Sequence, residues 1–395
     1  MEIQDALRPY DPDTFLREWW RRQPLAIERC APHFYDDVLT PVQLEEILIH
    51  NRIRYPEIRL MKNGKKVSKE SLMQWGWLDK IVPLDVKPGA LVPLYEAYHN
   101  GYSLFLRAER VSHSVATFCR SVEEWLHHVA IGEVVLTPRE SQSSPVHTDR
   151  HDVFAIQIHG TKHWRVYDPV GGDPSVPLSE RVGEPLVDRV LNPGDLLYIP
   201  REYPHEALTS QDSASLHLSV AVHPTRWRDL MLEGLKTVLD TDPRFSEPLP
   251  ARFLRDQSAC PSETFRDLWD AALEQLDVKK AVAQLGTDFC FNLRPIANDQ
   301  FGELSRLHSM TAESLLERRP GMLCQLNRKG ESVKLAFPGN YVMLPVGLLS
   351  VLEAIVTSSG AFTPRSLPGK LDEPGRVVLM KHLMRAGLLR FAEAA

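Results

Sequence analysis

The chain has 395 residues, of which 43% are apolar and 25% are charged, the composition of an ordinary globular protein. Its length predicts more than one domain. The formal net charge of -6 argues against a protein that binds nucleic acid through its overall charge. Since no run of 18 apolar residues occurs, we expect no transmembrane helix. The start, "MEIQDALRPYDPDTF", lacks the apolar core of a signal peptide.

Cysteine usage points to a reducing compartment. The five cysteines are odd in number, scattered, and without CxxC spacing: Cys30, Cys119, Cys260, Cys290 and Cys324. This pattern predicts neither a disulfide framework nor a zinc cluster. We therefore expect reduced thiols in a cytoplasmic protein.

The first 130 residues carry good helix-start signals. Thr40 with Gln43, and Ser121 with Glu124, have the spacing of a capping box. Asp13 in "DTFLREWW" is a further candidate N-cap. We expect residues 1–110 to form an α/β segment that supports the next domain.

From about Gly132 the pattern changes to short segments rich in β-branched and aromatic residues. These are "GEVVLTP", "HDVFAIQI", "KHWRVYD", "DLLYIP" and "SLHLSVAVH", separated by Gly and Pro. Many short strands between turn signals are typical of an antiparallel sandwich or barrel.

After His223 the pattern is helical, and Thr225 is a candidate N-cap for "TRWRDLMLEGLKTVLD". The segment "SETFRDLWDAALEQL" carries one apolar stripe at helical spacing. Its members are Phe265, Leu268, Trp269, Ala272, Leu273 and Leu276. Such a stripe packs against other helices, either within the chain or across a dimer, and the sequence leaves both possibilities open.

From about Lys334 the chain predicts a strand, the helix "VGLLSVLEAIVTSS", a short helix at "SLPGKL" and the helix "EPGRVVLMKHLMRAGLLRF". Three compact helices after a strand suggest a winged-helix-like domain. From Gly321 onward there are nine Lys and Arg against five Asp and Glu. Because a DNA-binding domain usually carries a stronger basic stripe, this modest excess argues against DNA binding.

The stretch "HTDRHDVFAIQIHGTKHW" holds a candidate metal site. His147 and Asp149 are two residues apart, so on a strand both would face the same side. His205, after the turn in "NPGDLLYIPREYPHEA", is the candidate third ligand. Two histidines and one carboxylate suit non-haem Fe(II), which needs open positions, whereas zinc more often takes three histidines or sulfur.

Lys162 is the second chemical signal in this stretch. The strand "DVFAIQI" is expected to end in a hairpin turn at 159–161, with Lys162 opening the return strand. A buried ammonium needs a partner, and the far carboxylate of 2-oxoglutarate would supply one. The alternative is a solvated turn lysine.

The string "LTPRESQSSPVHTDRHDVFAIQIHGTKHWRVYDP", followed by "PGDLLYIPREYPHEA", resembles the JmjC-type cupins of the ribosomal oxygenase family. The resemblance extends over nearly the whole chain, with "FLREWWRRQPLAIER" as the family's entry segment. It implies an α+β protein with a double-stranded β-helix, or jelly-roll, core. It further implies an Fe(II)- and 2-oxoglutarate-dependent oxygenase that uses O2, with a homodimer and a protein substrate such as a ribosomal protein. The implied organisation is 1–110 support, 111–225 JmjC core, 226–320 helical dimerisation region and 321–395 winged-helix-like domain.

The resemblance also implies roles for single residues. The metal ligands would be His147, Asp149 and His205, and Lys162 would hold the 2-oxoglutarate carboxylate. Further co-substrate residues would be Thr137, in "LTP", and His217 and Ser219, in "SLHLSV".

Two positions depart from the family pattern. Family members often carry Asn and Tyr where this chain has Glu133 and Val135. These departures put the identity of the target residue in doubt, while the metal set is intact. Arg150 and His151, directly after Asp149, are candidate substrate contacts at the cavity mouth. The alternative is that these two residues are ordinary loop charges. Glu133 is a further candidate substrate contact.

Three other functions remain open on the sequence. The same chemistry could act on a free amino acid or a natural product, or could remove a methyl group from lysine. A non-catalytic cupin scaffold is the rival from a different class, and the intact ligand set argues against it.

Overall fold

The computed structural model describes residues 1–29, 31–51, 53, 57–66, 92–173, 175–255, 262–296 and 298–392. By its internal contacts the chain divides into two compact units, residues 1–224 and 225–395. Within the described ranges, every helix is too short or too polar to cross a membrane.

The first unit contains six described helices: α1 Ile3–Leu7, α2 Pro12–Glu18, α3 Pro41–His50, α4 Val92–His99, α5 His113–Leu126 and α6 Leu178–Arg181. The capping box of Thr40 and Gln43 is confirmed at the start of α3. The N-cap of α2 is Asp11, so the predicted cap at Asp13 is wrong.

The predicted helix start at Ser121 is also wrong, because α5 begins earlier, after its N-cap Ser112. The Ser121 hydroxyl donates to the Phe118 carbonyl oxygen (2.7 Å) and accepts from the backbone N–H of Ile3 (2.9 Å). A serine inside a helix can satisfy its hydroxyl in this way. Here it ties α1 to α5.

Eleven strands of the first unit are described: β1 Leu25–Ile27, β2 Ile58–Lys62, β3 Lys65–Lys66, β4 Ser103–Arg107, β5 Val129–Thr137, β6 Asp152–Gly160, β7 Lys162–Val166, β8 Val187–Leu191, β9 Leu196–Ile199, β10 His205–Thr209 and β11 Ser215–His223. Eight of them form a major sheet in the order β1-β9-β6-β11-β5-β4-β2-β3, and β10-β7-β8 form a minor sheet. The paired strands are antiparallel, as predicted for the region after Gly132.

The predicted hairpin between β6 and β7 is wrong. β6 pairs with β9 and β11, whereas β7 pairs with β8 and β10. The chain therefore passes from the major to the minor sheet at Thr161. Gly160, at φ +62°, permits this passage, since an added Cβ would lie 1.7 Å from the carbonyl oxygen of Ala214.

The core lies on both faces of the major sheet. Phe154 of β6 points to one side, where its ring lies 5.7 Å from that of Phe15 of α2, in a core cluster that also includes Phe118 of α5. Val153 and its neighbours on the opposite face pack against the minor sheet. Burial on both faces explains why "DVFAIQI" is almost continuously apolar instead of alternating.

The second unit, residues 225–395, contains both helices and short strands. Its helices are α7 Trp227–Leu239, α8 Ser262–Glu274, α9 Val278–Asn292, α10 Gln300–Arg306, α11 Leu349–Thr357 and α12 Glu373–Arg385. Its strands are β12 Leu316–Arg318, β13 Gln325–Lys329, β14 Ser332–Phe337, β15 Asn340–Pro345 and β16 Leu389–Phe391. β13, β14 and β15 form one antiparallel sheet, and β12 pairs with β16.

Three boundary predictions in this unit are wrong. The N-cap of α7 is Arg226 and not Thr225. The short helical turn lies at Pro364–Ser366, ahead of most of "SLPGKL". The last predicted helix ends at Arg385, and the apolar "LRF" that follows is β16, because it finds a partner strand far away in sequence.

Candidate functional site

His147 and His205 meet through their main chains. The backbone N–H of each donates to the carbonyl oxygen of the other, at 3.0 and 2.9 Å. Asp149 follows in the loop before β6, and its carbonyl oxygen accepts from the N–H of Glu202. The prediction that His147 and Asp149 lie on one regular strand is wrong, because β6 begins only at Asp152.

The side chains of these three residues nevertheless converge. One ligand atom from each of His147, Asp149 and His205 lies within 4.8 Å of the others. His205 Nε2 is 3.6 Å from Asp149 Oδ2, and the two imidazole rings are 4.4 Å apart between centroids. This grouping of two imidazoles and one carboxylate could hold a metal ion.

Backbone carbonyls orient both imidazoles. His147 Nδ1 is 2.9 Å from the carbonyl oxygen of Pro145, and His205 Nδ1 is 3.0 Å from that of Tyr203. A carbonyl can only accept, so each Nδ1 carries the hydrogen and each Nε2 keeps its lone pair. This is the outer hydrogen bond that metal-binding histidines usually make.

Burial favours the neutral form of His205. Burial first, and then the neighbouring His147, lower the pKa of His205 to about 4. A neutral imidazole can act as a ligand, while Asp149 supplies one negative charge. Two neutral nitrogens and one carboxylate fit a divalent cation with open coordination positions.

Lys162, the first residue of β7, is buried at 1% exposure, so it is not a solvated turn lysine. Its Nζ donates to Thr137 Oγ1 at 3.0 Å, at the end of β5. Burial lowers the pKa of Lys162 to about 7. A buried ammonium with one neutral acceptor is a favourable partner for an anion.

The metal-type cluster and Lys162 line the same cavity of about 400 Å³. His217 and Ser219 of β11 also line it, opposite Val135 and Glu133 of β5. The space therefore lies against the inner face of the major sheet, with side chains of β7 and β10 on its other side.

Three buried polar atoms of residues that line this cavity lack a hydrogen-bond partner among the described residues. These are Nδ1 of His151, Nδ1 of His217 and the indole Nε1 of Trp164. Burial, and then the charge of Lys162, hold the pKa of His217 well below its usual range. Since buried polar groups are normally hydrogen-bonded, these three atoms suggest that a polar ligand belongs here.

Trp164 is a residue of the cavity lining that was not predicted from the sequence. Its ring makes an edge contact with His217, with centroids 5.4 Å apart. The available signal was its position two residues after Lys162, which places both side chains on one face of β7. Ala207, directly opposite Trp164 on β10, is small.

Of the other residues that the sequence singled out, some line the cavity and one is exposed. Glu133 and Val135, the two departures from the family pattern, both line the cavity. His151 also lines it, whereas Arg150 is exposed. Arg59 was not singled out in the sequence, yet it lines the cavity and forms an ion pair with Glu133.

A family model of the JmjC domain matches residues 105–230. This part of the chain is a JmjC domain. The strands of this part belong to the two sheets, which form the jelly-roll core of the cupin fold, as the sequence resemblance implied. The match includes the three converging side chains and Lys162, and therefore the whole centre of the candidate site.

Curated relatives of this chain include Ribosomal oxygenase 1 of Danio rerio, 27% identical over 322 residues. That alignment covers 74% of this chain and 56% of the relative. The Bifunctional lysine-specific demethylase and histidyl-hydroxylase NO66 of Drosophila yakuba is 28% identical over 249 residues, covering 60% of this chain and 34% of the relative. The chain thus spans about a third to just over half the length of these two relatives.

Among solved structures, YcfD of Escherichia coli has the same fold over nearly the entire chain. One YcfD structure superposes with a TM-score of 0.56 at 17% identity, covering 97% of this chain and 99% of YcfD. A second, of YcfD as a ribosomal oxygenase in complex with cobalt and 2-oxoglutarate, gives 0.55 at 19% identity and covers 96% and 98%.

Proposed function

We propose that this JmjC protein is an Fe(II)- and 2-oxoglutarate-dependent oxygenase that hydroxylates an amino-acid side chain of a protein. The observation that carries this proposal is the pairing, in one cavity, of a two-histidine, one-carboxylate cluster with the buried Lys162. The cobalt and 2-oxoglutarate bound by YcfD, which shares the fold, support it.

The ligands would be Nε2 of His147, Nε2 of His205 and a carboxylate oxygen of Asp149. Both nitrogens keep lone pairs because the Nδ1 atoms donate to carbonyl oxygens. When bound, iron with O2 would couple decarboxylation of 2-oxoglutarate, to succinate and CO2, to insertion of one oxygen atom into a C–H bond. The protein would contribute by holding the metal, 2-oxoglutarate and the target C–H bond in a reactive arrangement.

Lys162 would bind the far carboxylate of 2-oxoglutarate. Thr137 fixes the ammonium through its hydroxyl, so that Nζ is directed before the ligand arrives. A carboxylate beside Nζ would favour the charged ammonium and raise its pKa again. The co-substrate would be contacted along its length by His217, Trp164 and Ser219. The unpartnered Nδ1 of His217 and Nε1 of Trp164 would then each gain a hydrogen-bond partner.

The names of the relatives support a protein substrate, such as a ribosomal protein. The test is incubation of the protein with Fe(II), 2-oxoglutarate and ribosomes, followed by mass spectrometry of the ribosomal proteins. A gain of one oxygen on one residue is expected. Succinate release driven only by a free amino acid would overturn the protein-substrate proposal, and formaldehyde release from a methylated peptide would identify a demethylase.

The exposed stripe of α8 supports a homodimer. Phe265, Trp269 and Leu273 are 68%, 44% and 49% exposed, while Ala272 of the predicted stripe is buried. Large apolar side chains grouped on one helix face usually mark a protein contact. We propose that residues 226–320 form the dimerisation region.

We also propose the type of the C-terminal domain and the cellular location of the protein. Residues 321–395, with the β13-β14-β15 sheet and helices α11 and α12, are proposed as a winged-helix-like domain that does not bind DNA. A cytoplasmic location is supported by the scattered cysteines, of which Cys119 is a buried free thiol.

A further inference from the structure

Asp152, the first residue of β6, is a buried carboxylate outside the metal-type cluster. Its Oδ1 accepts from the Tyr198 hydroxyl at 2.8 Å and from the backbone N–H of Arg201 at 3.3 Å. Its Oδ2 is 3.6 Å from Nε of Arg21. One carboxylate thus joins β6 to β9, to the loop before β10 and to the connection between α2 and β1.

The turn at 200–203 is strained and is held against the segment 149–152. Glu202 has φ +68°, a left-handed conformation that a residue other than glycine adopts at a cost. Its N–H donates to the carbonyl oxygen of Asp149 at 2.8 Å, and the N–H of the preceding residue donates to Asp152. Because strained backbone persists only where its surroundings determine it, these two hydrogen bonds maintain the shape of the turn.

This turn leads directly to a metal-ligand candidate. The carbonyl oxygen of Tyr203 accepts from Nδ1 of His205 at 3.0 Å, so the turn sets the direction of the imidazole. The same turn is hydrogen-bonded to the main chain of Asp149. A displacement of the turn would therefore move two of the three ligands relative to each other. Since a metal site tolerates only small errors in ligand position, such a displacement would weaken metal binding.

A second left-handed residue is connected to the same carboxylate. Arg21 has φ +57°, and its backbone N–H donates to the Tyr198 hydroxyl at 2.9 Å. That hydroxyl donates in turn to Asp152. The carbonyl oxygen of the next residue, Arg22, accepts from the hydroxyl of Tyr203. The N-terminal segment is thus tied both to the buried carboxylate and to the turn at 200–203.

We infer that Asp152, together with Tyr198, is a positioning element that fixes the turn at 200–203 and thereby the relative placement of Asp149 and His205. This inference rests on the proposed metal-dependent function. The cavity lining that the structure describes does not include Asp152, so this carboxylate acts through the main chain and not as a ligand.

A carboxylate near a cation could instead act by its negative charge alone. Asparagine at this position separates the two explanations, because an amide oxygen still accepts from Tyr198 and Arg201 but carries no charge. Asp152→Asn should therefore keep the Kd for metal within about threefold of the wild-type value. Asp152→Ala removes the acceptor and should raise the Kd by roughly tenfold.

The test measures binding of Co(II) to the full chain by calorimetry, together with the visible absorption spectrum of the cobalt-loaded protein. The d–d bands depend on the number and geometry of the ligands, so a loss of stability alone would not change them in a folded variant. Asp152→Ala should alter these bands, and Asp152→Asn should not.

Tyr198→Phe and Tyr35→Phe form a matched pair of variants. Both tyrosines are buried in the same core, at 0% and 2% exposure, and both hydroxyls accept a hydrogen bond from an arginine. Tyr198→Phe should weaken Co(II) binding by roughly fivefold, whereas Tyr35→Phe should leave affinity and spectrum unchanged. If Asp152→Ala does not fold, as judged by thermal melting, this pair still decides the question.

Unchanged Co(II) affinity and spectrum in folded Asp152→Ala, or equal effects of Tyr198→Phe and Tyr35→Phe, would overturn the inference. Equal losses in Asp152→Asn and Asp152→Ala would assign the effect to charge and would also overturn it. In these cases, wild-type binding of Co(II) that is lost in His147→Ala leaves the proposed function standing. A wild type that binds no Co(II) would contradict the metal site itself, and the inference would fail with it.

Discussion

The main chains of His147 and His205 are hydrogen-bonded to each other in both directions, at 3.0 and 2.9 Å. These residues are far apart in sequence, on a loop before β6 and at the start of β10. The reciprocal pair fixes the distance between the two backbones, so the imidazoles are positioned together before any metal binds. Preorganisation of this kind lowers the cost of assembling a metal site.

We expect His147→Ala to abolish turnover of 2-oxoglutarate without unfolding the chain. The substitution removes one ligand but keeps the backbone pairing with His205, which does not involve the side chain. Succinate release and the iron content of the purified protein are the measurements. His159→Ala, at an exposed position on β6, is the control and should retain both. Full turnover in the His147 variant would show that the metal site lies elsewhere.

Lys162→Met should weaken 2-oxoglutarate binding while metal binding is retained. Loss of the ammonium removes one partner of a buried ion pair, which corresponds to about 2 kcal/mol or more, or roughly a thirtyfold rise in Kd. Methionine fills a similar volume, so the free energy of unfolding of the apo protein should not fall. Calorimetric titration with Mn(II) present measures the Kd, and an unchanged value would contradict the role of Lys162.

The lowered pKa of Lys162 predicts a pH dependence. The folded pKa of about 7 lies below the ordinary 10.5, so between these values the unfolded chain binds a proton that the folded apo protein lacks. Stability of the apo protein should therefore increase as pH rises through this window, by at most about 1.4 kcal/mol per pH unit. Urea titrations at several pH values measure it, and Lys162→Met should abolish this contribution.

The lowered pKa of Lys162 also predicts that the protein takes up a proton when 2-oxoglutarate binds near pH 8. The bound carboxylate would favour the ammonium form, so affinity for 2-oxoglutarate should decrease as the pH rises above 7. Calorimetry in two buffers with different ionisation enthalpies counts the protons taken up. The absence of uptake in the wild type, or equal uptake in Lys162→Met, would contradict this prediction.

Substitution of the α8 stripe should dissociate the proposed dimer. Phe265→Ser together with Trp269→Ser removes two exposed aromatic side chains, and aromatic anchors usually dominate interface energetics. Sedimentation velocity should show the mass change from dimer to monomer. Val378→Ser, also at an exposed apolar position, is the control. A monomeric wild type would contradict the proposal.

Much of the fold was predictable because hydrophobic period and turn residues are local signals. The strands after Gly132 and the cap at Thr40 follow from such signals. Strand partners are not local, and for this reason the predicted β6–β7 hairpin was wrong. Likewise, Ser121 has the side chain of an N-cap, but its actual role depends on Ile3, far away in sequence.

The sequence by itself determined the residue types of the candidate site. His147, Asp149, His205 and Lys162 carry their chemistry wherever the chain places them, and a spacing pattern can reveal it. Only the tertiary structure decided that these groups share one cavity, that Lys162 is buried with Thr137, and that Trp164 and Arg59 belong to the same lining. Burial, desolvation and the pairing of charges depend on strands brought together from distant parts of the chain, which no local pattern encodes.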